Sequence, residues 1–464
     1  MPSERLRSFV GLFILCFVSW LFCPRDLRRK IPWKCVVWGT VMQFALAIVI
    51  LWSPFVNGFF GLCGDLVDGL LAHATEGARL VFGPLVNTDL LAKVFGPENS
   101  TIFSLQELGP VIIFFASLMA VGYQIGLMQW VVGLTARAVV KLLDTSGAET
   151  LSCVGNIFLG MVEAPLMIRP YLPKLTRSEL YCVMVCGLSN VAGTVLAVYV
   201  GLLKHAIPDI AGHLITMSVM SAPAGLVISK LMLPETGEPE TRGVVVVTHE
   251  RAYTNVMDAM TGGASEGLNI ALNVTAMLIA MVATVHFANA VLGTPAVYHN
   301  QHIVDRLAKA DAALATIDVH NAPAVQAAAD NLGLRAVAWQ PPTFQHLSGY
   351  LFRPLAWCLG VPLRDVPKVG ELLGEKTVLN EFVAYLDMAK QLDADPNALT
   401  ERGRVLASYA LCSFANFGSV AIMIGGIAAL VPSRRKDLAE LGLLSLVGGT
   451  IAACLTACAA GVFI

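Results

Sequence analysis

Residues 155–170 read GNIFLGMVEAPLMIRP. An apolar run is interrupted by Glu163, two residues before Pro165, and closes on Arg169. It is too short to cross a bilayer, which takes about 20 apolar residues, and too apolar for a surface loop. A carboxylate at the bilayer centre costs about 3 kcal/mol on insertion scales, so it needs a partner or a function. A second stretch of the same kind lies at 366–389, VPKVGELLGEKTVLNEFVAYLDMA, with Glu381 in an apolar patch. The segments 149–173 and 366–389 are each long enough to enter the membrane and turn back, but not to span it as hairpins. Irregular backbone at membrane depth survives only where protein or a water-filled cavity surrounds it. Two such interrupted segments in corresponding halves of a chain point to the midplane binding site of a secondary transporter.

Composition supports a lipid solvent. The 464 residues are 56% hydrophobic and 14% charged, where soluble chains carry about 25% charged residues, and the mean hydropathy is +0.68. A net charge of −2 leaves no footprint for nucleic acid. The eleven cysteines lie mostly inside apolar runs. Cys182/Cys186 and Cys454/Cys458 have helical i,i+4 spacing but no histidine or carboxylate beside them, so they read as small packing residues. Residues 8–23 are followed by the basic PRDLRRKIPWK and no small-residue cleavage site. This is a first span followed by a cytoplasmic loop, not a signal peptide.

Full-length spans are expected near 8–23, 35–53, 110–133, 179–203, 211–233, 266–292, 403–431 and 440–464, which places both termini outside. Stretch 54–104 sets Asp65 and Asp68 against leucines at helical spacing, an amphipathic interfacial pattern. The polar stretches 134–148, 234–263 and 432–438 fall on the cytoplasmic side. Segment 297–345 is a polar, Ala-rich external insert in which Ile303, Leu307, Ala310, Leu314 and Ile317 predict one amphipathic helix.

The costly polar residues gather around the two short segments. For the acids the plain alternative is a pairing with Arg169 or Lys376 that holds a hairpin closed. Asn416 and Ser419, three apart and so on one helical face, are either helix–helix glue or ligands for hydroxyl groups. Beside a carboxylate, an amide suits a sugar diol, since one accepts and the other donates. Asn156, seven residues before Glu163, shares its face if that arm is helical, and its oxygen suits a small hard cation. His286 is either a proton relay or a core histidine satisfied by a backbone carbonyl.

The blocks GNIFLGMVEAPLMIRPYLPKLTRSEL, GLSNVAG, MSAPAGL, LPET, GGASEGL, GEKTVLNEFVAY, YALCSFANFGSVAIMIGG and PSRRKDLA, in this order, resemble the concentrative nucleoside transporter family. The likeness covers nearly the whole chain except the 297–345 insert. It implies an all-α polytopic protein of the bacterial inner membrane: eight spans, two re-entrant hairpins, interfacial helices, and an inverted-repeat transport domain moving like an elevator on a trimerisation scaffold. Under that likeness 1–133 holds scaffold spans and the interfacial helix, and 134–263 the first hairpin half. Residues 264–296 are then a scaffold span and 346–464 an interfacial helix, the second hairpin and the last two spans.

The same resemblance implies a homotrimer embedded in lipid, a nucleoside substrate, no cofactor, and sodium as coupling ion with the proton as alternative. It assigns ribose contacts to Glu381, Asn416 and Ser419, flanked by the aromatic Phe414, with Glu163 near the nucleoside and Val195 in the substrate wall. It assigns sodium to Asn156 and the carbonyls of Leu159 and Val191, with Asn190 where small hydroxyl residues are common. The family's Gln-Thr pair before the first-hairpin acid is replaced by Met161 and Val162, so the base is expected to be held by packing. Rival readings are a symporter for another polyol-bearing solute, an intramembrane enzyme using Glu163 and Glu381 as acid and base, and a passive pore.

Overall fold

The computed structural model describes residues 2–52, 54–87, 90, 93, 109–207, 209–245 and 253–464, with side chains for all of these but 2, 52, 54–65, 67–68, 277–278 and 281. Helices account for the architecture, and no strand forms among the described residues. Apolar spans α1 (Pro2–Phe22) and α2 (Trp33–Trp52) are joined by the basic turn around Arg28–Lys30. Helix α3 (Pro54–Phe82) follows. The expected roles of Asp65 and Asp68 and of 94–104 lie outside the described residues.

The span expected at 110–133 is broken: α4 (Gly109–Gln124) meets α5 (Leu127–Leu143) at 72°. Gly126 makes the corner in the left-handed region at φ 83°, where a side chain would be strained. The span expected at 266–292 is the middle of one helix, α10 (Val256–Ala310), of 55 residues. Helix α4 packs along α10. A β-carbon at Gly263 would stand 2.6 Å from the Ala120 Cβ, and one at Gly267 2.7 Å from the Ile113 Cα. Small residues thus set this contact, as lipid-buried helix pairs require.

Between and after these lie two halves of the same plan. The first runs α6 (Gly147–Gly155), the tip, then α7 (Arg177–Leu188), a break, α8 (Gly193–Leu203) and α9 (Ile210–Met232). The second half follows α11 (Ala322–Asn331) and α12 (Phe344–Cys358). It runs α13 (Val366–Val378), a tip, α14 (Glu381–Ala394), α15 (Glu401–Leu411), a break, α16 (Phe417–Leu430) and α17 (Arg435–Gly461). The hairpin arms of 13 and 14 residues reach about 20 Å at 1.5 Å per residue, short of the roughly 30 Å hydrocarbon layer. The return arm of the first hairpin is only two 3₁₀ turns, Ala164–Ile168 and Leu172–Lys174. Pro165, Pro170 and Pro173 explain this, each lacking the N–H an α-helix needs.

Five described helices are long and apolar enough to cross a membrane, six if the bent α4/α5 pair counts as one span. The insert differs in one respect from its expected helix. Ile303 and Leu307 are buried on α10, but that helix ends at Ala310, and Leu314 falls in a 3₁₀ turn, Ala312–Thr316. Ile303, Val304 and Leu307 pack on Val325, Ala328 and Ala329 of α11 in a small core of their own.

Candidate functional site

The two breaks and the two tips meet. The Phe414 N–H of the second break donates to the Asn190 carbonyl of the first at 3.0 Å, and the Gly193 N–H donates to Phe158 at the first tip at 3.3 Å. Around this junction lies a cavity of about 500 Å³ lined by Gly160, Met161, Val162, Glu163, Thr194, Val195, Tyr199, Asn380, Glu381, Phe414 and Ser419 from the hairpin halves. Ile112 of α4 and Ile270, Asn273 and Val274 of α10 close it. The N-termini of α8, α14 and α16 all converge there. Helix N-termini carry partial positive charge, which favours the Glu381 carboxylate in the first turn of α14.

Glu381 is 5% exposed and held from both sides. The Tyr199 hydroxyl donates to its Oε1 at 2.8 Å, and the Asn416 amide to its Oε2 at 2.9 Å. A carboxylate has about four acceptor positions, so each oxygen keeps one for a ligand. Tyr199 is itself clamped by a stack on Tyr385 at 4.4 Å. Asn416 caps α16, its Oδ1 accepting from the Ser419 N–H at 2.7 Å. The pair is therefore a helix cap, not two neighbours on a helical face, and Asn416 stands behind Glu381. Asn380 likewise caps α14, accepting from the Val383 N–H at 2.9 Å, while its buried Nδ2 donates to no described group. Tyr199, Asn380 and Asn273 escaped the sequence reading. A cap residue before Glu381 was the signal available for Asn380.

Lys376 donates to the Ala410 carbonyl at 2.8 Å and forms no described ion pair with Glu381 of its own hairpin. Helix α6 stops at Gly155, and Asn156 and Glu163 do not share a helical face. The Glu163 carboxylate is exposed to the cavity and turns back toward the backbone of Gly160 and Val162. A β-carbon at Gly160 would run into it. Met161 sits against Gly187 and Val162 against Gly426, both while lining the cavity. A second cavity of about 420 Å³ shares Gly160, Glu163, Ala192, Thr194 and Ile270 with the first and continues to Tyr123, Arg169, Tyr253 and Glu266. The Tyr253 hydroxyl donates to Glu266 at 2.9 Å. His286 is exposed on α10, outside the core of this chain, and lines neither cavity.

Behind the first tip, Asn156 is 2% exposed and donates to the Cys186 carbonyl at 2.7 Å. Its Oδ1 is buried without a described partner. An orphaned buried oxygen costs about 1–3 kcal/mol, so a cation or water ligand fits it. Asn190 does not offer the oxygen its sequence position suggested. Its Oδ1 accepts from the Val191 N–H at 2.9 Å and from Ser218 at 2.9 Å. Its amide donates to the Asn156 carbonyl at 3.2 Å.

Acid-bearing cavities between broken spans and hairpin tips, inside an all-helical membrane protein, are the arrangement of a secondary transporter. The comparisons make this specific. The chain matches the models "Na+ dependent nucleoside transporter C-terminus" over residues 213–461, the corresponding N-terminus over 10–85, and "Nucleoside recognition" over 105–206. It is 35% identical over 461 residues to an uncharacterized transporter of Haemophilus influenzae, covering 99% of this chain and 98% of the relative. It is 35% identical over 474 residues to sodium/nucleoside cotransporter 1 of Rattus norvegicus, covering 99% of this chain and 64% of that protein. It is also similar to CNTnw in an inward-facing, substrate-bound state, at a TM-score of 0.82 and 34% identity over 99% of this chain and 98% of that one. The chain belongs to the sodium-dependent, concentrative nucleoside transporter family. It is a multi-pass membrane transport protein, and the reading of Glu163 and Glu381 as an enzymatic acid–base pair falls away.

Proposed function

We propose that this chain is a sodium-coupled symporter that accumulates nucleosides, holding the ribose at Glu381 and the base against the first hairpin tip. The observation that carries this is the Glu381 carboxylate, oriented by Tyr199 and Asn416 with an acceptor position left on each oxygen. Two ribose hydroxyls fill those positions, while Ser419 and the unpaired Asn380 amide supply donors and acceptors around them. Met161, Val162, Val195 and Phe414 give the base apolar contact. Asn273, exposed on α10 and without a described partner, is the polar group across from them.

Sodium would be held by the Asn156 Oδ1 with the carbonyls of Leu159 and Val191. Asn190 acts as a strap that braces Asn156. The ion contributes charge and gradient energy. One cation moving through 100 mV contributes about 2.3 kcal/mol, and at about 1.4 kcal/mol per tenfold that sustains roughly fortyfold accumulation. Both hairpin halves then move as the transport domain of an elevator, with α4 and α10 in the scaffold of a homotrimer. Glu163, lining both cavities, links the tip to substrate.

Calorimetry on the purified protein tests this reading. Uridine and adenosine bind, 2′,3′-dideoxynucleosides bind at least tenfold more weakly, and free bases do not bind. Equal affinity for nucleosides and dideoxynucleosides removes Glu381 from ribose recognition and favours another solute.

A further inference from the structure

Beyond the membrane-crossing part of α10, the insert forms a pocket that the transport cavity does not use. Its volume is about 320 Å³, and its lining includes His299, His302 and Arg306 from α10 and Arg335, Val337 and Trp339 from the segment after α11. The α10 residues recur at i, i+3 and i+7, one helical face. The facing segment alternates: Leu334, Ala336 and Ala338 pack toward the small core, while Arg335, Val337 and Trp339 are exposed.

Two buried or half-buried amides fix that wall. Asn300, fully buried, donates to the Trp339 carbonyl at 2.9 Å and accepts from the Trp339 N–H at 2.8 Å. Gln326 donates to the Ala336 carbonyl at 3.1 Å and accepts from the Ala338 N–H at 2.8 Å. Trp339 stacks on His299 at 4.1 Å, and His299 bonds the Val337 carbonyl at 3.0 Å. No carboxylate belongs to the described lining. The nearby Asp305 and Asp330 are engaged by Gln301 and Gln326, both at 2.9 Å. Neither Arg306 nor Arg335 has a described ion pair or hydrogen bond.

Two guanidiniums without described partners lining one pocket, with imidazoles and an indole beside them, match a compact dianion. Arginine forks suit phosphate oxygens in particular. We propose that this pocket binds a phosphate monoester, and that the Trp339–His299 stack favours one carried on an aromatic ring. The site is independent of the transport cavity, whose acidic Glu163 and Glu381 repel such a ligand.

The test uses the full-length protein in phosphatidylcholine nanodiscs, with saturating uridine filling the transport cavity, titrated with adenosine monophosphate and with inorganic phosphate. Adenosine monophosphate binds one per chain, more tightly than phosphate. Arg306→Gln and Arg335→Gln each weaken it at least tenfold while uridine uptake and thermal stability stay unchanged. In discs containing phosphatidic acid, an arginine-dependent loss of nucleotide binding identifies the lipid phosphate as a competing source of the same group. Absent binding in phosphatidylcholine discs, or binding retained when Arg306→Gln and Arg335→Gln are combined, overturns the proposal. Phosphate binding as tight as the nucleotide overturns the part assigned to the stack.

Discussion

At the scale of single residues, the consequential atoms are two oxygens in different states. The Glu381 carboxylate has a donor on each oxygen from Tyr199 and Asn416, so its orientation is set before a ligand arrives. Glu381→Gln keeps the shape but turns one acceptor into a donor and removes the charge. Charge-assisted hydrogen bonds are worth about 1.5–3 kcal/mol each, so nucleoside affinity falls at least tenfold in calorimetry. Tyr199→Phe leaves the charge and loosens the carboxylate, giving a smaller loss. The Asn156 Oδ1, by contrast, has no described partner. If sodium fills it, nucleoside and sodium must raise each other's affinity by the same factor. Asn156→Ala then flattens the sodium dependence of nucleoside binding, and a sodium dependence like that of the parent protein contradicts the assignment. The acids were legible in the sequence because a carboxylate in an apolar run is conspicuous. Tyr199 was not, because a tyrosine in a span reads as packing until its hydroxyl is seen against Glu381. Asn190, which the resemblance sets at the sodium site, turns its oxygen to the local donors Val191 and Ser218, and no sequence pattern reveals those.

At the scale of elements, the first hairpin tip is held by glycines on the helices it touches. A β-carbon at Gly426 of α16 would lie 2.6 Å from a Val162 methyl, a branched group with no room to swing away. Gly426→Ala therefore pushes the tip off α16, lowering thermal stability by the few degrees that about 1–3 kcal/mol of overpacking produces and reducing uptake. Adding Val162→Ala restores both, whereas no rescue places the strain elsewhere. Met161→Gln with Val162→Thr gives the tip hydrogen-bonding groups toward the base. It sharpens the purine–pyrimidine preference in competition uptake without altering the need for ribose hydroxyls. Unchanged selectivity means these side chains serve only to pack on Gly187 and Gly426. Both hairpins were visible as short apolar stretches with an acid. The 3₁₀ return arm and the α4/α5 corner were less so, since hydropathy averaged over a window runs through a 72° bend without registering it. The breaks at 189–192 and 412–416 were hidden for a related reason. Apolar residues continue on both sides, and where Asn416 caps the second restart, the first begins at Ala192 with no side-chain cap.

At the scale of the molecule, two hairpin halves share one junction, Phe414 to Asn190, with α4 and α10 closing the cavity from the side. Where α4 and α10 close the first cavity their lining is largely apolar, Ile112, Ile270 and Val274, with Asn273 as its polar group. An apolar seam slides without breaking hydrogen bonds, which suits the proposed elevator, in which the two joined halves travel as one body. The repeated order of hairpin and following spans was legible in the sequence, as was the family. How the halves clasp each other was not, because the contacts join residues far apart in sequence, Tyr199 with Glu381 and Asn190 with Phe414 among them. The central claim is that a sodium gradient drives nucleosides uphill through this junction. Labelled uridine uptake into proteoliposomes, with an inward sodium gradient or an inward proton gradient imposed separately, tests it most directly. The expected result is accumulation above the external concentration with sodium alone, abolished by Asn156→Ala and severely reduced by Glu381→Gln. Accumulation driven by protons and indifferent to sodium, or equilibration without accumulation under either gradient, would contradict it.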